Sequence, residues 1–587
     1  MNFEKIISDA IQKTLVELNL NLVERFELEH PVDETHGDYA CNIAMIIFPL
    51  VKGGSQIKIW QGDFKNPRQL AQVIKTNLDQ NEELKTIVEK IEIAGPGFIN
   101  FYLKTDILIN QISLILEKKD DFGKNENPEN RKIIVEYGHP NTHKLPHIGH
   151  LFSYIAGDSL ARILEFNGNT ILKANYQGDI GPHVAKCIYG WQQKGKPIPE
   201  KLENKVKLLQ ECYQLGSELY EDENHKQKII AINKAIYDPQ NDIQKDWLQT
   251  RQWSLDFYLE FEKLLGVNQK KHYLESQMWQ RGLQIVKDNV GKVFEKSGDT
   301  VIFAGEKFGL HTRVFITKEG TPTYEAKDLG LFTQKMEDWP FDLTITPTAS
   351  EQNEYFNVVI EAVNQLFPEY KNKWMHIGFG MVSLSTGKMS SRKGNILSAP
   401  DLIEIVFARV GQIIEKRKEL NSEEKEKIRK QVGLGAIKYA FLKSSLTKNM
   451  VFDLEESISL NGNSGPYLQY TYARCQSVLS KNNNPSFTKR ADAQQSEDLN
   501  QEELFILKWL YRFPEIVEKS AKEFAPNHLC TYLYDLAQRY NTFYNKHSIL
   551  KAENERQKQL RLALTQATAQ VIKNGLKLLG INAPNTM

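Results

Sequence analysis

Residues 132–150 read KIIVEYGHPNTHKLPHIGH and run straight into LFSYIAGDSLARILEF at 151–166. Ile133, Ile134 and Val135 form a short β-branched run, the composition of a strand buried on both faces of a parallel sheet. The following stretch is rich in Gly, Pro and His and reads as a loop. Leu151, Ile155, Leu160, Ile163 and Leu164 then fall near one face of a helix. Strand, glycine-containing loop and helix make the opening unit of a doubly wound nucleotide-binding sheet. Further strand-like runs occur at 300–305 (TVIFAG), 313–317 (RVFIT), 342–346 (DLTIT) and 375–384 (MHIGFGMVSL), with a helical pattern from Phe356 to Leu366. Strands alternating with helices predict a parallel sheet.

Outward from this unit the texture changes twice. Before it, Ile6, Ile7, Ala10, Ile11 and Leu15 recur at helix spacing, and Val88, Ile91 and Ile93 lead through GPGF into INFYL, a strand, turn and strand. The polar segment DDFGKNENPEN at 120–130 reads as a linker. After Ala399-Pro400 the strand patterns stop, and helical segments are expected at 401–418, 422–447, 463–481, 500–521, 527–545 and 555–579, with a polar break over 481–500. The expected fold class is multidomain α/β. A small α/β domain (1–110) precedes a doubly wound, Rossmann-like catalytic domain (111–400) with a helical insertion at about 190–290, and an all-α domain (401–587) follows.

The 587 residues carry 74 Lys plus Arg against 74 Asp plus Glu, which excludes a strongly basic nucleic-acid coat but not a local basic face. Apolar residues reach 41%, ordinary for a globular chain and incompatible with wholesale disorder. The five cysteines contain no CxxC pair, so neither a disulfide framework nor a structural zinc site is expected. The longest apolar stretch, Ile43 to Val51, is nine residues long counting Pro49. A membrane-spanning helix needs about 20. Glu4 and Asp9 make the opening residues unlike a signal peptide, so a soluble, cytoplasmic protein is expected.

Two motifs carry chemistry. His147-Ile148-Gly149-His150 falls where the first loop enters its helix. Two imidazoles there can donate to phosphate oxygens where backbone N–H groups already favour anions, and Gly149 lets a flat base or ribose approach the backbone. On position alone, a turn with two solvent-exposed histidines remains the alternative. Residues 387–395, GKMSSRKGN, place three cations and two hydroxyls in a glycine-bounded loop, suited to a mobile clamp on a triphosphate. Taken singly, a basic surface loop is the commoner explanation. No Ser/His/Asp or Cys/His triad motif is evident.

In that order and on those elements, the pair resembles the two signatures of class I aminoacyl-tRNA synthetases. The resemblance narrows to the arginyl-tRNA synthetases through VEYGHPNTHKLPHIGHLFSYIAGDSLARILE, NYQGDIG, HGDYACNIAM, AGPGFINF, TYEAKDLG, GPYLQYTYARCQSV and LLGINAPNTM, which span nearly the whole chain. It implies that His147 and His150 bind ATP phosphates, with Gly149 under the nucleoside, and that Lys388, Met389, Ser390, Arg392 and Lys393 belong to the second-signature loop. Ser391 stands where that signature has its second lysine, and Lys144, three residues before the first histidine, is expected to share the phosphate load. Glu136, Asn141, Tyr324, Asp328 and Gln352 match arginine-contacting positions. Glu136 and Asp328 would take the guanidinium by charge-assisted bonds, Tyr324 would stack or accept, and Asn141 and Gln352 would orient the amino and carboxylate ends.

Phe98 and Asn100 match positions that touch the D-loop of arginine tRNA; Tyr467, Tyr470 and Met587 match positions facing its anticodon. The small N-terminal domain would then read the D-loop and the helical one the anticodon. The resemblance further implies Mg2+ with ATP, arginine tRNA and L-arginine as partners, no membrane, and a monomer. Arginyl-adenylate would form first, activation needing bound tRNA, and the terminal ribose would then accept the arginine. Three rival readings compete with this. Another class I synthetase lacks support, because a cationic pocket, clustered cysteines or a large editing insertion are not seen. A small-molecule adenylyltransferase would not explain the terminal domains. A silent paralogue would have no need of intact histidines and pocket acids.

Overall fold

A computed structural model describes all residues except 1, 21–22, 24–25, 53–63, 127, 386–396, 419 and 483–498. The chain forms two compact units: Met1–Gly123 with Arg474–Glu518 and Asp535–Asn574, and Lys124–Ala473 with Lys519–Tyr534 and Gly575–Met587.

The second unit holds a five-stranded parallel sheet of β1 (Lys132–Glu136), β2 (Thr170–Gln177), β3 (Lys271–Leu274), β4 (Leu343–Ala349) and β5 (Trp374–Phe379), in the spatial order β5-β4-β1-β2-β3. Ile134 and Val135 at its centre are fully buried. Chain order reverses at β1, so the crevice beyond the carboxyl ends of β1 and β4 is the topological switch point. Helix α1 (Ile148–Phe166) packs against the sheet through Gly157, where an added Cβ would lie 2.2 Å from the Cβ of Tyr137. Later crossovers bring in α2 (Ile243–Leu265), α3 (Glu275–Asp288), α4 (Tyr324–Asp338) and α5 (Asn353–Leu366).

Three expectations about the second unit needed changing. The stretch at 190–290 is not a pure insertion, because β3 lies within it and forms the sheet edge; Lys271-His272-Tyr273-Leu274 has no apolar run to reveal a strand. The runs at 300–305 and 313–317 do not join the parallel sheet. Glu295–Ser297, Thr300–Phe303 and Arg313–Ile316 make a separate antiparallel sheet, whose first connection is the two-residue loop Gly298-Asp299 with Gly298 at φ +59°. So short a connection can join only antiparallel neighbours. Beyond residue 400, Met450–Phe452 pairs in parallel with Val382–Leu384.

In the first unit, helix Phe3–Glu17 is capped by the Asn2 side chain and buries Ile7, Ile11 and Leu15. The four-stranded antiparallel sheet runs in the order Leu28–Glu29, Tyr39–Cys41, Phe98–Leu103, Val88–Ala94. The domain limit expected at 110 falls inside helix Thr105–Lys118, whose buried residues Leu108, Ile109, Ile112 and Ile115 place it with this unit. The expected 500–521 helix is two, Gln501–Leu510 and Phe513–Lys522, because Pro514 has no N–H to continue the first.

The helices after residue 400 divide between the units. In the second unit a polar junction joins α1 to residues 577–580. Ser159 donates to the Leu578 carbonyl at 3.2 Å, and the Lys438 ammonium, 4% exposed, donates to the Leu265 and Gly580 carbonyls at 2.6 Å each. Arg162 bonds Asp158 at 2.6 Å and the Gly266 carbonyl at 3.0 Å. Apart from the Asp158 carboxylate, these acceptors are carbonyls at helix ends, which otherwise lack partners.

Candidate active site

The chain leaves β1 at Glu136 and turns through left-handed backbone at Gly138 (φ +102°), His139 (φ +49°) and His143 (φ +64°). A Cβ on Gly138 would lie 2.7 Å from the Tyr154 ring. The two histidines accept strain of order 1 kcal/mol or more each, and the surroundings over-determine the loop. The Gly138 N–H donates to Ser153 Oγ at 3.0 Å and that of His139 to Asn175 Oδ1 at 3.2 Å. The His143 N–H donates to Ser254 Oγ at 2.9 Å, and its ring bridges Thr142 Oγ1 (2.8 Å) and Thr250 Oγ1 (2.9 Å). Burial holds His143 neutral, well below the usual imidazole range. The Tyr258 hydroxyl donates to the carbonyls of both Asn141 and Lys144 at 2.8 Å. Helix α2 therefore pins the loop that presents the first signature.

His147 is the N-cap of α1, and its backbone N–H donates to His150 Nδ1 at 3.1 Å. With Nδ1 accepting, the neutral His150 ring carries its proton on Nε2, a donor left for a ligand. The two rings lie 3.7 Å apart between centroids. Burial, then His147, His139 and Lys144, push His150 well below the usual imidazole range. His147 is exposed as a residue, yet it too is lowered, by burial of its ring and by Lys144. Lys144 is half-buried, with its ammonium 4.4 Å from the centroid of the Tyr213 ring. A Cβ on Gly149 would meet the His147 ring at 2.8 Å. The site thus offers neutral donors and helix N–H groups at one end of the switch-point crevice.

Deeper in the same crevice stand three acids. Glu136, 2% exposed, lies with Oε2 2.6 Å from the Nζ of Lys335, itself fully buried. The two meet as an ion pair out of line for a hydrogen bond. Glu275, the first residue of α3, is 7% exposed and accepts from Lys327 Nζ at 2.9 Å. Asp328 on α4 accepts from the Tyr355 hydroxyl at 2.7 Å and has no ion pair among the described residues. Burial pushes its carboxyl up to about 8, against the Tyr355 bond that lowers it and with Glu136 and Glu275 adding to the rise. Two acids are already neutralised by lysines, and the third is vacant.

Gly178, from the NYQGDIG stretch, has no room for a side chain: its Cβ would lie 2.5 Å from Asn141 Oδ1 and 3.5 Å from Glu275 Oε1. Asn141 and Glu275 therefore converge on one wall. Tyr324, at the start of α4, is 48% exposed, and its hydroxyl would lie 3.8 Å from a Cβ on Gly181. Gln352 is exposed at the end of β4, accepting from Thr348 at 3.3 Å. Thr348 also bonds His376 Nε2 at 2.7 Å. The structure thus gathers Glu136, Asn141, Lys144, His147, Gly149, His150, Tyr324, Asp328 and Gln352 around the carboxyl ends of β1 and β4. Lys388, Met389, Ser390, Ser391, Arg392 and Lys393 lie outside the described residues.

The nucleic-acid candidates are spread over both units. Phe98 and Asn100 share one face of strand Phe98–Leu103; Asn100 is 2% exposed and its Oδ1 has no hydrogen-bond partner among the described residues. Tyr467 packs on Tyr534 at 5.6 Å between ring centroids, and Tyr470, half-buried, lies on the same helix, α6 (Gly465–Ser480). Gln469 and Tyr472 of α6 bond Asn582 and Asn585, so the segment leading to Met587 lies along that helix. Sequence reasoning missed Glu275, Lys327, Lys335 and Tyr355. Glu275 offered no usable signal, because the strand it follows, Lys271–Leu274, has no apolar run to mark it. Asp179, fully buried, explains how Glu275 is placed. Its carboxylate accepts from the Ser276 N–H (2.8 Å) and hydroxyl (2.6 Å) and from Arg251 (3.1 Å), fixing the first turn of α3.

This doubly wound sheet, with its histidine motif at the first helix and a helical carboxyl-terminal region, is the architecture of a class I aminoacyl-tRNA synthetase. Residues 111–454 match the family described as tRNA synthetases class I (R), catalytic domain. Residues 1–103 match the arginyl tRNA synthetase N terminal domain and residues 468–587 the DALR anticodon binding domain. The chain belongs to the arginyl-tRNA synthetase family. It is 30% identical to an arginine–tRNA ligase of Parabacteroides distasonis over 95% of each chain. It is 31% identical to that of Flavobacterium psychrophilum over the full length of both. The fold is that of the Thermus thermophilus arginyl-tRNA synthetase (TM-score 0.81, 23% identity, 100% of each chain covered). It is also that of the Plasmodium falciparum enzyme (TM-score 0.78, 21% identity, covering 100% of this chain and 98% of the other). Among the described residues no helix is long and apolar enough to cross a membrane.

Proposed function

We propose that the crevice activates L-arginine with ATP, and that the vacant acid Asp328 takes the guanidinium. The observation that carries this reading is the charge arrangement: three buried carboxyls, two buried lysines and one vacancy, at the far end of a crevice whose mouth holds neutral imidazoles at a helix N-terminus. Asp328 can accept two parallel N–H bonds from a guanidinium while Tyr355 fixes the carboxylate plane. Glu136, expected from the resemblance to share the guanidinium with Asp328, is already paired with Lys335; in this reading it faces the amino end with Asn141, and Gln352 the carboxylate. That carboxylate attacks the α-phosphate in line. Nε2 of His150, the His147 ring and the first N–H groups of α1 receive the charge that develops on the phosphate oxygens, with Lys144 adding a cation. No protein nucleophile is required, so placement and charge stabilisation supply the rate.

Among the described residues no group of three ligating side chains stands together. A magnesium ion, which would add charge neutralisation to the phosphates, therefore fits as a passenger of the triphosphate, held by phosphate oxygens and water. The adenylate then passes arginine to the terminal ribose of arginine tRNA, with Phe98 and Asn100 in one unit and Tyr467, Tyr470 and Met587 in the other as contacts. Stacking on aromatics suits unpaired loop bases. The test is ATP–pyrophosphate exchange with each of the twenty amino acids, with and without total tRNA. Exchange with arginine, dependent on tRNA, is expected. Exchange with another amino acid would overturn the pocket assignment, and none under any condition would overturn the activity.

A further inference from the structure

Lys327 is an unusual occupant of an amino-acid pocket. Its side chain is 4% exposed, its ammonium bonds Glu275 Oε2 at 2.9 Å, and it sits 4.8 Å from the centroid of the Tyr324 ring. The next residue along α4 is the vacant acid Asp328. A carboxylate at hydrogen-bond distance and an aromatic face on the other side make a good site for a compact ammonium. Such a site, left empty beside Asp328, would bind the side chain of a free diamino acid.

We propose that Lys327 is a specificity-determining residue, filling with its own ammonium the position where a lysine substrate would otherwise place one. The pocket is then left with a single cationic vacancy, at Asp328. A guanidinium fills that vacancy with two N–H bonds to the carboxylate and directs its remaining donors elsewhere. A tetrahedral ammonium meets the planar carboxylate with one bond and has the Glu275 carboxylate closed to it. Discrimination arises from a resident charge belonging to the protein, a form of exclusion built against the wrong ligand.

This inference rests on the assignment of arginine to this crevice. It is tested on the full-length protein by measuring inhibition of arginine-dependent pyrophosphate exchange, in the presence of tRNA, by L-lysine and L-ornithine. Lys327→Ala is expected to lower the inhibition constant for one or both at least tenfold relative to the KM for arginine. Lys327→Arg keeps the site filled and is expected to leave that ratio near wild type. Lys327→Ala combined with Glu275→Gln removes the carboxylate that would hold the foreign ammonium, and is expected to abolish the gain. It also leaves no unpaired buried charge, so it keeps the test alive if the single variant does not fold. In that case a tenfold gain in the double variant would overturn the role given to Glu275. An unchanged ratio in Lys327→Ala, even with both constants worse, would overturn the proposal. Asp328→Asn separates the two levels: an unchanged KM for arginine there defeats the pocket assignment itself. A raised KM there with an unchanged ratio in Lys327→Ala defeats only the present inference.

Discussion

Raising the pH should tighten arginine binding, and the size of the effect follows from Asp328. Its carboxyl is pushed up to about 8 by burial, and Tyr355 is its only hydrogen-bond donor among the described residues. In the empty pocket at pH 7 about one molecule in ten then has Asp328 ionised, whereas a bound guanidinium requires the carboxylate. Binding must expel the proton, so apparent affinity at pH 7 is roughly tenfold, or ~1.4 kcal/mol, below its alkaline limit, and at pH 6 roughly a hundredfold below. The sign is fixed: the ligand favours the deprotonated form, so affinity rises with pH and levels off above about 8. Burial displaces His139, His147 and His150 toward lower pH, the direction opposite to that of Asp328.

Isothermal titration calorimetry of L-arginine from pH 6 to 8.5, in buffers of different ionisation enthalpy, would read both quantities. Close to one proton released per arginine is expected at pH 7, and Asp328→Asn should abolish release while weakening binding. Constant affinity over this range, or proton uptake, would refute the reasoning.

Removing the His150 donor with His150→Ala should slow arginine-dependent exchange by ~100-fold or more with little change in the KM for arginine, as read by steady-state kinetics. Lys144→Ala should lower the activation rate more than it weakens arginine binding; equal, small effects on both would remove its phosphate role. Gly157→Ala would drive a methyl into Tyr137, and thermal unfolding should show a loss of ~1–3 kcal/mol. Tyr470→Ala should raise the KM for tRNA several-fold while leaving the KM for ATP unchanged, a difference that aminoacylation kinetics would resolve.

The first strand, loop and helix were legible because three signals coincide there: a β-branched run, a Gly/Pro/His loop and a clean helical face. Where only one signal is present, reading failed. β3 is four residues long and half polar, and it becomes a strand because β2 lies beside it to complete the pairing. TVIF and RVFI have strand composition, but the direction of TVIF against Glu295–Ser297 comes from the Gly298-Asp299 loop, which composition does not weigh. The pocket divides in the same way. Glu136 and Asp328 could be singled out because they match arginine-contacting positions of the family the sequence resembles; by themselves they read equally well as surface or ion-pair acids. Lys327 and Lys335 sit in YEAKDLGLFTQKMED, a stretch that reads as a solvated helix surface. They are buried because Glu275 and Glu136, from distant parts of the chain, wait for them, and partners brought by folding leave no mark in the local pattern.

The junction on α1 has a bearing on how the protein is made. Ser159 closes on a carbonyl made 419 residues later, and Lys438 on one made 142 residues later. At ~5–20 residues per second, the helix carrying the two histidines waits roughly 20 to 80 s for Leu578 to be synthesised. Through that interval the Lys438 ammonium cannot be enclosed as it is in the finished protein, since one of its two acceptors does not yet exist. The catalytic unit is thus not a module that matures as it leaves the ribosome. Its last packing step belongs to residues near 580, and a nascent chain stalled short of them would display the signature helix without its final support.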